Sequence, residues 1–113
     1  MSGQLKRIAG PAYLAATATN IYTPPASTIY TVIEHLHVAN VTASAATFTL
    51  YVGATGGSTG GTELFKQKNI PANDAQDYYF TPGLFMASTD FLTGLASAGS
   101  TIAIAVMGEQ IVV

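Results

Sequence analysis

An antiparallel β-sandwich or jelly roll, all-β and built from about seven to nine short strands, is the fold this sequence predicts. Three observations predict it. Short runs of β-branched and aromatic residues recur between turn residues, several of them alternate apolar and small or polar side chains with the period of a pleated strand, and nowhere does a capped 3.6-residue pattern appear. Without a crossover helix, antiparallel pairing is expected throughout.

The elements follow in chain order. Residues 1–18 read as an arm of small residues, with Gly3, Gly10 and Pro11 along it and Tyr13 and Leu14 as its candidate anchors. The arm is expected to make an assembly contact, and residues 19–113 to form the sandwich domain. Residues 19–22 read as a short strand stopped by Pro24-Pro25, which cannot donate to a ladder. Residues 29–41 carry the longest strand signal. Val32, Leu36 and Val38 share one parity and Ile33 the other, so either both faces are apolar or a bulge resets the phase. Residues 47–52 (Thr-Phe-Thr-Leu-Tyr-Val) are a strand by composition.

Gly56-Gly57-Ser58-Thr59-Gly60-Gly61 reads as a hairpin tip. Residues 63–70 form the next strand, ended by Pro71, and residues 75–80 another. Pro82-Gly83 reads as a turn, with short strands at 84–86 and 91–92. Residues 100–107 alternate Ile102, Ile104 and Val106 against Ala103, Ala105 and Met107. Gly108 is expected to break that strand, before Ile111-Val112-Val113 resumes pairing. The predicted core is Leu36, Val38, Phe48, Leu50, Ile102, Ile104 and Val106.

Composition narrows the function. Only 9% of the 113 residues are charged, where about 25% is usual. The surface is therefore built from Ala, Thr, Ser, Gly and Asn, which suits coverage by other subunits. The basic residues are Lys6, Arg7, Lys66 and Lys68, too few to gather a phosphate-binding face, so nucleic acid is not expected as a partner. No apolar run approaches the length of a membrane span, and no membrane partner is expected. Lys6-Arg7 followed by residues 8–18 has a faint signal-peptide outline, but Gly10-Pro11 interrupts it and the reading is rejected. There is no cysteine, hence no disulfide framework, which suits synthesis in a reducing cytoplasm.

Candidate chemistry is sparse. His35 and His37 are the only histidines, and H-x-H on a strand sets both rings on one face, a spacing able to hold metal. Further ligands would come from Asp74, Asp77, Asp90 or Glu63, which read as lying in remote turns, while Glu34 projects from the opposite face. Neither a metal nor another cofactor is expected. No G-x-S-x-G elbow is present, and Asn73-Asp74 after Pro71 is turn chemistry more than a carboxylate pair with Asp77. The glycine loop lacks the Gly-Lys-Ser/Thr of a phosphate cradle. Tyr22, Tyr30, Tyr51, Tyr78 and Tyr79 interleave with no cations and read as packing residues. No catalytic residue is assigned and no enzyme is expected.

Residues 21–113 resemble a family of small β-sandwich proteins found among the virion structural proteins of tailed bacteriophages. The pattern opens on Ile21-Tyr22-Thr23-Pro24-Pro25-Ala26 and runs from Ile33 to His37-Val38-Ala39-Asn40. It continues through Phe48-Thr49-Leu50-Tyr51-Val52, the glycine loop and Ile70-Pro71-Ala72, and closes on residues 94–98 and Ile102-Ala103-Ile104-Ala105-Val106. Its members are similar to capsid decoration proteins and to tail or fibre accessory proteins. The resemblance implies a virion component made in the host cytoplasm, in symmetric copies with a trimer favoured, whose partners are the major capsid protein or other virion proteins. The N-terminal arm lies outside it. A carbohydrate-binding sandwich using Tyr78, Tyr79 or Tyr51 is the alternative from another class.

Overall fold

The computed structural model describes residues 5–53 and 63–112, so the glycine-rich tip at 56–61 lies outside the described residues. Eight strands and no helix appear among them: β1 (Leu5–Tyr13), β2 (Thr19–Tyr22), β3 (Thr28–Asn40), β4 (Ala46–Gly53), β5 (Glu63–Ile70), β6 (Ala75–Ala87), β7 (Phe91–Ala96) and β8 (Ile102–Val112). They form two antiparallel four-stranded sheets, in the orders β1-β8-β3-β6 and β2-β7-β4-β5. The pairs β1–β8, β2–β7, β3–β6 and β4–β5 are those of one long hairpin whose tip lies between β4 and β5. Wrapping that hairpin into two layers adds the β3–β8 and β4–β7 pairs. This is the jelly-roll winding.

All seven residues predicted for the core are buried between the sheets, joined by Leu14, Ile33, Ile70, Met86 and Leu92. The parity conflict in β3 is resolved by a bulge. Register shifts between Ile33 and His35 against both neighbouring strands, so Thr31 and Ile33 point inward before it and Leu36, Val38 and Asn40 after it. Tyr22, Thr31 and Gln110 form a polar group between the sheets. The Tyr22 hydroxyl lies 3.0 Å from Thr31 Oγ1 and accepts from Gln110 Nε2 at 3.0 Å. No buried side-chain polar atom among the described residues lacks a partner.

Several elements differ from their sequence reading. The segment read as an arm contains an edge strand: β1 pairs with β8, and Leu14 is buried in the core with its N–H donated to the Ile102 carbonyl at 2.8 Å. Apolar alternation could not signal β1, because its register breaks on both sides of Ala9. Gly10 has φ +70°, and a Cβ there would strike the Ile104 carbonyl. Removing residues 2–14 would therefore strip a strand and an anchor from the sandwich. Pro82-Gly83 is not a turn between strands. Residues 80–83 bulge out of a continuous β6, opposite Glu34. Gly108 does not end β8 either: the strand runs to Val112, and Gly108 is placed where a Cβ would meet the Val32 carbonyl.

Candidate functional site

The outer face of the β1-β8-β3-β6 sheet carries the densest chemistry. With Leu36 and Val38 turned inward, His35 and His37 both point outward, on one face as their spacing predicts. Across the sheet, Arg7, Met107, His35 and Tyr79 stand in one register row. Ala105, His37 and Asp77 form the next row, and Tyr13, Ala103, Ala39 and Ala75 the one beyond. On the other side of the histidines, Glu109, Val32 and Phe85 are neighbours.

Asp77 is the hinge of this arrangement. Its Oδ1 accepts from His35 Nε2 at 2.7 Å and from His37 Nδ1 at 2.8 Å. With neutral rings, those bonds need the Nε2–H tautomer at His35 and the Nδ1–H tautomer at His37. The bonds from His37 and then His35 hold the Asp77 carboxyl below the ordinary aspartate range. His35 stacks on Tyr79 with ring centroids 4.4 Å apart and planes 7° from parallel. Tyr79 nevertheless remains 71% exposed. A shallow pocket beside this stack is lined by Glu34, His35, Tyr79, Phe80, Thr81 and Met107. Glu34, expected from the sequence on the face opposite the histidines, sits on the bulge and lines this pocket with His35. Partial desolvation, hydrogen bonding with the Glu109 carboxyl and its neighbouring negative charge together raise the Glu34 pKa.

Sequence reasoning placed Asp77 in a turn remote from the histidines. It lies on β6, directly across from His37. The signal was present in part, since Asp77 and Tyr79 share a parity as His35 and His37 do. What was missing is that β3 and β6 are neighbours at that register, which no local pattern carries. Glu109 was not singled out at all. The other carboxylates stay apart. The Asp74 carbonyl accepts from Asn40 N–H in the turn before β6, Asp90 Oδ2 accepts from Ala87 N–H in the turn after it, and Glu63 starts β5 opposite Tyr51.

No serine or threonine hydroxyl hydrogen-bonds to either ring among the described residues. No set of three His, Cys, Asp or Glu side chains there is arranged to hold a metal ion. What the geometry does is tie β3 to β6 and brace an exposed aromatic ring. Of the other tyrosines, Tyr78 turns into the open side of the sandwich. There it packs on Phe65 at 4.8 Å, lies 5.9 Å from the Lys68 ammonium and donates its hydroxyl to Gln76 Oε1 at 2.7 Å. Tyr51 stands half-buried on the other sheet opposite Thr93. The cations are divided: Lys6 and Arg7 lie on β1, and Lys66 and Lys68 on β5, edge strands of different sheets. No helix of the described residues is long and apolar enough to cross a membrane.

Comparison with protein-family models, with curated proteins and with solved structures finds no match for this chain.

Proposed function

We propose that this chain is a non-enzymatic structural protein of a tailed-phage virion, a decoration or cement protein that binds the major capsid protein and stabilises the shell through symmetric subunit contacts. The observation that carries this reading is the outer face of the β1-β8-β3-β6 sheet. Its inner side is already core, yet the outer side presents Tyr13, Tyr79 and Phe85, three of the five exposed large apolar side chains among the described residues. Around them lie Ala39, Ala75, Ala103 and Ala105. A face of this kind suits burial against other subunits, at roughly 25 cal/mol per Å² of apolar area before the cost of ordering. Repetition over a shell adds up weak contacts by multivalency. The low charge of the chain and its sandwich fold support the same reading, the fold by analogy alone.

Localisation in intact particles tests it. Labelled protein is expected over the capsid lattice, and mild dissociation is expected to release it from shells with tails unchanged. Density confined to the tail, neck or fibres would transfer the same physics to an accessory protein there. One observation favours a carbohydrate-binding role instead, the flat and exposed ring of Tyr79. Saturable binding to a glycan, lost in Tyr79→Ala, would replace the structural reading.

A further inference from the structure

We infer that the pocket on the outer face of the β2-β7-β4-β5 sheet binds a carboxylate-bearing sugar, a single pyranose ring of the uronic acid class. This sheet is opposite the one assigned to capsid contact, and the inference does not depend on the virion reading.

Strand parity puts the lining on that face. Phe48 and Leu50 turn inward, so Thr47, Thr49 and Tyr51 of β4 turn outward. Leu95 of β7 stands beside Thr49, and Ser97 follows the end of that strand. On the other side β5 is bulged. Lys68 faces Phe48 and Phe65 faces Leu50, which leaves Lys66 and Gln67 together opposite Thr49. Gln67 has φ 48°, and of the three non-glycine residues with positive φ among the described residues it alone lies within a strand. Backbone of this kind is costly for a residue with a side chain and clusters where proteins hold ligands. Here it brings two long polar side chains to one hydroxyl. Thr47, Thr49, Tyr51, Lys66, Gln67, Leu95 and Ser97 line a pocket of about 220 Å³.

The hydrogen bonds leave this pocket rich in donors. Thr49 is only 5% exposed, and its Oγ1 accepts from the Gln67 N–H at 3.0 Å. Ser97 Oγ accepts from the Thr47 N–H at 3.1 Å, while the Ser97 N–H donates to the Thr47 carbonyl at 2.9 Å. Both hydroxyls are thereby held as acceptors, and neither gives its own proton to a described residue. A nearly buried hydroxyl in this state favours an acceptor brought into the pocket. Lys66 makes no ion pair with a described residue. No carboxylate is among the lining residues, and Glu63 lies further along β5, opposite Tyr51.

This chemistry selects the ligand. Three hydroxyls, one amide and one ammonium call for several acceptors and a single negative charge. Leu95 and the Tyr51 ring add an apolar wall, which suits the C–H face of a sugar ring. The volume is below the roughly 300 Å³ at which pockets for drug-sized ligands begin, so one ring is the fitting size. A neutral sugar would leave Lys66 without a counter-charge, and a bare carboxylate would leave the apolar wall in water.

Titration of the nitrogen-15-labelled chain with glucuronate is expected to give saturable amide shifts confined to β4, β5 and β7 around the pocket. Glucose supplies the ring without the charge, and acetate the charge without the ring. Each should bind at least about tenfold more weakly than glucuronate, the equivalent of 1.4 kcal/mol. Lys66→Met should reduce glucuronate to the affinity of glucose. Lys68→Met should change nothing, because that ammonium lies over Tyr78 instead. Both lysines are exposed, so neither variant removes a part of the core. Tyr79→Ala, on the opposite sheet, should likewise leave glucuronate binding intact. Absence of saturable shifts, acetate binding as tightly as glucuronate, equal losses from the two lysine variants, or shifts centred on Tyr79 would overturn the inference.

Discussion

Asn40 Nδ2 donates to the Ile70 carbonyl at 3.1 Å, joining the end of β3 in one sheet to the end of β5 in the other. The same amide nitrogen reaches the Ser44 carbonyl at 2.8 Å, and Asn40 Oδ1 accepts from the Thr42 N–H at 3.0 Å and the Thr42 hydroxyl at 2.7 Å. One buried side chain thus satisfies two turns at once. These are the connection after β3, which starts at Asn40, and the one after β5 at Ile70-Pro71-Ala72, which the sequence shows only as separate segments.

Asn40→Ala should cost at least about 1–3 kcal/mol, because it leaves buried backbone groups without partners in both turns. Asn40→Asp should also destabilise at neutral pH, since it keeps the acceptor and loses the donor to Ile70 and Ser44. Urea unfolding with an unchanged m-value is the measurement.

Leu50 and Ile104 are fully or almost fully buried on facing sheets. Truncating either to alanine should cost about 2–5 kcal/mol, from lost burial and the cavity left behind. Thermal unfolding within about a degree of wild type in both variants would contradict the core described here.

Gly108→Ala should destabilise by about 1–3 kcal/mol even though alanine favours no other structure there, since overpacking costs this much. The new methyl would press on the Val32 carbonyl, and backbone in mid-sheet cannot swing aside. Gly99→Ala is the control, with open space around its Cβ position.

Asp77 is more acidic in the folded chain than an ordinary aspartate. Its ionised form therefore contributes stability that is present above the ordinary aspartate pKa and lost as pH falls through the folded value. Asp77→Asn should lower the melting temperature at pH 7, with the gap to wild type closing below the ordinary aspartate range. A gap independent of pH would assign the effect to packing.

Glu34 behaves with the opposite sign. Its raised pKa means that stability is lost as pH rises from the ordinary glutamate range through the folded value. Glu34→Gln should raise the melting temperature at neutral pH and leave it unchanged at acid pH, and Glu109→Gln should have the same profile because it removes the neighbouring charge.

The sequence alone determined the sandwich and its core. Alternation at Phe48 and Leu50 and at Ile102, Ile104 and Val106 is a local property, because successive side chains on a strand point to opposite faces whatever the neighbours are. Strand existence was legible for the same reason wherever alternation was regular. It failed at β1, where small residues and a twice-broken register leave no period to read, and at Gly108 and Pro82-Gly83, residues that end strands in isolation. There the tertiary structure decided: an edge tolerates Pro82 in a bulge, and β8 requires Gly108 because β3 passes too close for a side chain. The candidate site was half legible. H-x-H spacing put His35 and His37 on one face, but their partners Asp77 and Tyr79 stand some forty residues away. Which strand lies beside β3 is set by how the long hairpin wraps, a choice made by the burial of whole sheets and not by any residue near the histidines.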